Sequence, residues 1–255
     1  MLKKNLALLF NWYFWLTPIL FYLGWRIAVI YPSSLWIVVL AACILLIPSV
    51  YEATERRLSW LSVAIYVNLA VLIVSFYLFI SLIASPWILS LLWLIMLWHL
   101  YRYLLFVKKF VAIKQNDYFI PIAFVSSLAA SFFAAASLFG LQSFLTLSPW
   151  PLLVVFLVLL IINTEALAII QGWQNKRNQI IWPLIAFFTA EITMMITLLP
   201  LNYLISGILS ALAYYSVINF VRLYLENNLK RHKIRNYAWF TAVSLAIILL
   251  SARWL

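Results

Sequence analysis

Charge is the first thing this sequence has little of: 9% of its 255 residues are charged and 67% are hydrophobic. A soluble domain carries about 25% charged residues and about half apolar ones. The deficit excludes a chain that covers its own surface for water. Cysteine occurs once, at Cys43, so no disulfide can close within the chain and no cysteine cluster can hold a metal. Histidine occurs only at His99 and His232, too few for a cytochrome that holds two haems between paired histidines, and there is no H-E-x-x-H. A single aspartate, Asp117, leaves neither a diphosphate-binding aspartate cluster nor a two-aspartate protease. All eight lysines lie in connections or near the N-terminus, which removes a retinal Schiff base in a late helix. No G-x-S-x-G nucleophile elbow is present. Glycine is limited to Gly24, Gly140, Gly172 and Gly207, and the absence of G-x-x-x-G speaks against close right-handed crossings as the dominant packing mode. No cofactor and no metal are expected, and nothing commits the chain to catalysis.

What the chain has in abundance is continuous apolar sequence in runs of about 17 to 25 residues, the length a helix needs to cross a hydrocarbon core of about 30 Å. The runs do not alternate, which rules out barrel strands. The expected fold is an all-α polytopic transmembrane bundle of about nine spans in one domain, over residues 9–31, 35–51, 59–84, 86–107, 118–140, 150–172, 179–199, 201–225 and 236–253. At the start, Lys3 and Lys4 precede an apolar run that passes Trp12, Trp15 and Phe21 to Tyr31 without an A-x-A pattern. It is read as a retained first span rather than a cleaved leader.

The connections alternate between two kinds. One is short, uncharged and marked by proline, as at Pro32, Pro86, Pro149 and Pro200; the other is basic. Of the 17 Lys and Arg residues, 15 fall on one side of this alternation, the exceptions being Arg26 and Arg253. Short cytoplasmic loops carry the Lys and Arg excess, so the N-terminus is expected inside and the C-terminus outside. The formal net charge of +11 then reflects orientation in a bilayer, with a bacterial plasma membrane as the expected location, and not nucleic-acid binding. The composition is similar to that of small, loop-poor bacterial membrane proteins.

Function is sought first among ionisable residues inside the spans, because such a group at the bilayer centre costs about 2.5–3.5 kcal/mol and usually faces a bundle interior or cavity. Glu165 and Glu191 are the two acids so placed, about 12 Å and about 18 Å from the cytosolic ends of their spans. Depth matching offers His99, Arg102 and Arg26 as partners. Thr189, Thr193 and Thr197 point away from Glu191, and Asn163 and Gln171 away from Glu165, at about 100° per residue. Asn68, Asn202 and Asn219 have no assignable partner. Lys230, Arg231, Lys233 and Arg235 are candidates for contact with anionic lipid headgroups on the cytosolic side, each contributing about 1 kcal/mol there. The small residues Ala129, Ala130 and Ala134 to Ala136, with Ser126, Ser127 and Ser131, mark the fifth span as a close-packing face. The leading expectation is a small permease or membrane-embedded binding protein with an acidic centre; the alternatives are a structural or assembly subunit bound to a membrane protein partner and, second, a lipid-modifying enzyme.

The charge sorting makes a topological prediction. With Cys43 replaced by serine, a cysteine at Ser33 should react with an impermeant thiol reagent from outside the cell, and one at Asn178 only after the membrane is opened. Labelling of the Ser33 position from the cytosolic side alone would reverse the orientation.

Overall fold

The structure, a computed structural model, describes residues 19–20, 22–24, 26, 31, 34–54, 59–83, 85–113, 119–173, 180–226 and 230–251. These residues form eight helices and, among the described residues, no strand: α1 Leu35–Ala53, α2 Trp60–Ile80, α3 Pro86–Ile113, α4 Phe119–Leu145, α5 Pro149–Ile170, α6 Ile181–Ile196, α7 Tyr203–Leu225 and α8 Arg231–Ser251. Helical residues at 19–20, 22–24 and 26 belong to the expected first span, most of which lies outside the described residues. Six helices are long and apolar enough to cross a membrane: α2, α3, α4, α5, α7 and α8. Against the nine expected spans, the other two described helices are shorter; α1 is apolar over Ile37–Ala53, and α6 has 16 residues.

The shortening of α6 has a local cause. Its last turn tightens, with Leu198 N–H bonding to the Met195 carbonyl at 3.2 Å and Leu199 N–H to Ile196 at 3.0 Å. Pro200 then disfavours helical backbone at the residue before it. Other boundaries also follow from chemistry at the ends. Ser59 and Ser62 form a reciprocal capping box at the start of α2, each side chain accepting from the other's backbone N–H at 3.2 Å. Asn202 caps α7 by accepting from Leu204 N–H at 3.0 Å. Pro149 opens α5, where its missing donor is harmless. Gly172 closes α5 at φ 72°, a left-handed conformation that lets Trp173 N–H bond back to the Ala168 carbonyl at 3.0 Å. The chain reverses there, and Trp173 stacks on Trp182 of α6 with ring centroids 5.6 Å apart.

At the centre of the bundle stand α2 and α4. Helix α4 packs against α7, α2, α5 and α3, and its interface with α7 is the most extensive among the described helices. The small residues explain why. Ala130, Ser131, Ala134, Ala135 and Ala136 are buried on α4, and Ser206, Gly207 and Ser210 are buried on α7. A Cβ placed on Gly207 would lie 2.7 Å from the Ala136 Cβ and 3.0 Å from its Cα. Backbones therefore meet there without intervening side chains, a close crossing made without a G-x-x-x-G pair. Around the α2–α3–α4 junction the space is filled by rings instead: Phe76 meets Trp93 at 5.1 Å and Phe133 at 5.2 Å, both edge to face. At the periphery, α8 has no buried residue and its main neighbour is α7.

Because the atoms facing Gly207 are mostly backbone and have nowhere to move, Gly207→Leu should destabilise the bundle by about 1–3 kcal/mol through overpacking. Its exposed neighbour offers the control, Ile208→Leu, which should be silent. Thermal unfolding in detergent reads both; equal melting of Gly207→Leu and the parent would show that the α4–α7 crossing opens freely.

Candidate functional site

The bundle interior carries a continuous line of uncharged polar side chains from five helices. Tyr103 on α3, Asn68 on α2, Asn163 and Thr164 on α5, Ser127 on α4 and Tyr214 on α7 are each at most 1% exposed. Their geometry fixes the direction of every hydrogen bond. The Ser127 carbonyl can only accept, so the Asn163 group 3.1 Å away must be its amide nitrogen, which also donates to Ser127 Oγ at 2.7 Å. Asn163 Oδ1 thus turns to α2 and accepts from Asn68 Nδ2 at 3.0 Å. Asn68 Oδ1 in turn accepts from the Tyr103 hydroxyl at 3.1 Å.

On the other side, Thr164 donates to the Leu160 carbonyl at 2.6 Å, leaving its oxygen to accept from Tyr214 at 3.3 Å. Tyr214 accepts from Ser127 Oγ at 2.8 Å. One donor direction runs from Tyr103 through Asn68, Asn163, Ser127, Tyr214 and Thr164 to the Leu160 carbonyl. No charge is needed anywhere along it, and each of the six side chains is partnered.

The residues singled out by charge lie elsewhere. Glu165 is exposed, on the α5 stripe that carries Val154, Val155, Val158 and Ile162. Glu191 is exposed in the middle of the α6 stripe of Leu184, Phe187, Phe188, Met194, Met195 and Leu198. Neither has an ion-pair or hydrogen-bond partner among the described residues. The inward faces at those levels are filled by Asn163 and Thr164 on α5 and by Thr189 and Thr193 on α6. The two threonines are fully buried and bond back to the carbonyls of Ile185 and Thr189, each at 2.8 Å. Opposite placement of the threonines and Glu191 agrees with the 100° reading.

Of the proposed partners, His99 turns inward and Arg102 outward. His99 Nε2 donates to Ser126 Oγ at 2.7 Å, since the serine proton is committed to the Ile122 carbonyl at 2.9 Å. The exposed Arg102 guanidinium lies over the rings of Trp98 at 5.9 Å and Phe106 at 5.5 Å. Arg26 is exposed as well. Lys230, Arg231 and Arg235 are exposed and Lys233 is partly buried between α7 and α8. No protein-family model, curated protein or solved structure matches this chain.

A search for charge passes over the interior line altogether, although one signal for it was available. Asn163 and Thr164 are adjacent polar residues opposite Glu165, and Asn68 is polar at a similar distance from the ends of α2. Their pairing depends on which helices touch, which no spacing within a helix conveys.

Asn163 is the junction of the line, and leaving its partners buried without it costs about 1–3 kcal/mol. Asn163→Leu should lower stability by that amount, as should Asn68→Leu by a smaller one. The double variant should lose less than the sum of the two, because the second substitution removes a group already stranded by the first. Equilibrium unfolding of the four proteins in mixed micelles measures the coupling, and strict additivity would separate Asn68 from Asn163.

Proposed function

We propose that the chain is a structural or assembly subunit of a membrane complex, and that the outward face of α6 is where a partner helix engages it. The observation that carries this reading is the position of Glu191. It stands ten residues after the start of α6 and five before its end, about 15 Å and about 7.5 Å along the axis. A carboxylate there that faced hydrocarbon would cost several kcal/mol if charged. A donor on a neighbouring helix, such as Lys, Arg, His or an amide, removes that cost. The flanking Phe187, Phe188, Met194 and Met195 suit such a contact, since thioethers and rings adapt to an apposed apolar surface. Glu165 supplies a second outward carboxylate on the adjoining helix α5. A permease built on an interior acidic centre draws less support, because the inward positions at these levels hold buried, uncharged, hydrogen-bonded side chains.

The test places a photoreactive amino acid at Phe187 or Met195 and irradiates the native membrane. The expected adduct maps to an apolar segment of another protein that contains a donor side chain. Glu191→Leu should reduce it strongly and Glu191→Gln only partly, since the amide keeps the shape and still accepts a hydrogen bond. Adducts to lipid alone or to a second copy of the chain, together with a Glu191→Leu protein more stable than its parent, would overturn the reading.

A further inference from the structure

The gap between α8 and the rest of the bundle has the two-part chemistry of an amphiphile. At its basic end is a cavity of about 450 Å³ whose lining includes Arg222, Glu226, Lys233, Asn236 and Tyr237. Tyr215 and Phe240 also border this cavity and border a second, of about 620 Å³, so the two adjoin across these rings. The second lies between α4, α7 and α8 and is almost wholly apolar, with Leu128, Phe132, Ala211 and Ile248 among its walls. Tyr215 and Phe240 stand at the junction with ring centroids 5.5 Å apart. Nearby, Ser216 and Thr241 hold α7 to α8 by a 3.0 Å hydrogen bond. An apolar gap of this size does not hold ordered water, which needs two or more polar partners, and in a bilayer it fills with hydrocarbon.

From this we infer that the cleft is a binding site for an anionic phospholipid, with the headgroup phosphate at the Arg222 and Lys233 end and an acyl chain along the apolar groove. The charges decide the headgroup. Arg222 Nε donates to Glu226 Oε1 at 2.8 Å, which orients the guanidinium; its remaining N–H groups have no partner among the described residues and can donate to a phosphate oxygen. Lys233 adds an ammonium and Asn236 an amide donor. Two cations and one carboxylate line the polar cavity, so it carries a net positive charge that a monoanionic phosphodiester neutralises. A free phosphate would satisfy the donors but leave the groove unfilled, whereas a lipid occupies both parts. The site is independent of Glu191 and of any partner at α6.

Native mass spectrometry of the purified chain, loaded from micelles containing phosphatidylglycerol or phosphatidylcholine, tests the assignment. Phosphatidylglycerol should be retained in preference, and Lys233→Gln should weaken its retention about fivefold, the factor that matches one basic residue beside an anionic headgroup. Lys230→Gln, an exposed charge outside the cavity, should have little effect. Ala211→Phe, which narrows the groove and leaves every charge in place, should also reduce retention, with folding followed by thermal unfolding. Equal retention of the two lipids, equal effects of Lys233→Gln and Lys230→Gln, or displacement of phosphatidylglycerol by inorganic phosphate would each overturn it.

Discussion

Where Asn163 meets Ser127, one side chain spans the distance between helices by donating twice, to a hydroxyl and to a main-chain carbonyl. In a hydrocarbon surrounding, water cannot complete a polar group that protein leaves open, so the rest of the polar interior has to be built outward from this junction. Asn68 must present its nitrogen, Tyr103 must donate, and Tyr214 must donate to the Thr164 oxygen. Each requirement brings another helix to a fixed separation. The close α4–α7 crossing at Gly207 and Ala136 serves the same end, because Ser127 and Tyr214 reach one another only if those backbones come together.

This arrangement separates two kinds of polarity. Neutral groups that complete one another are inside, with His99 bonded to Ser126 beside them, and the two carboxylates of α5 and α6, which have no partner among the described residues, are on outer faces. Burying a carboxylate in the bundle would have demanded a matching cation nearby, with desolvation of both. The inward sides of α5 and α6 instead carry amide and hydroxyl groups, and the chain presents Glu165 and Glu191 to whatever surrounds it. Polarity that the chain resolves internally supports its own fold, and on α5 and α6 it leaves the carboxylates on the opposite side of each helix.

The helices themselves were legible from the sequence, since continuous apolar runs and proline-marked turns leave little alternative to membrane-length helices. Seven of the nine expected segments begin within about three residues of a described helix, and the early end of α6 traces to Pro200. The small-residue face on α4 was readable too, because alanine and serine at helical spacing have one efficient use in lipid. Residue roles were harder. Asn202 proved to be a helix cap, a local role that its position just before α7 could reveal. Asn219 bonds back to the Tyr215 carbonyl at 2.8 Å, which is also local. Asn68 finds Asn163, 95 positions away in the chain, and nothing along one helix encodes that meeting. Charge drew the sequence-based search to Glu165 and Glu191 because transfer energies rank single residues, whereas burial is decided by whether a group's needs can be met together with those of its neighbours.

The fixed direction of the interior line also bears on proton movement. A relay conducts only if each member can take a proton from one side, release one to the other, and then rotate back. Here two members are amides, which hold their protons on nitrogen, and both the Ser127 and Leu160 carbonyls are acceptors that admit a single orientation of what faces them. The row of polar groups through the centre of the bundle therefore has the chemistry of a clamp and not of a relay. Its consequence is mechanical: five helices are joined through side chains that can face one another in one way.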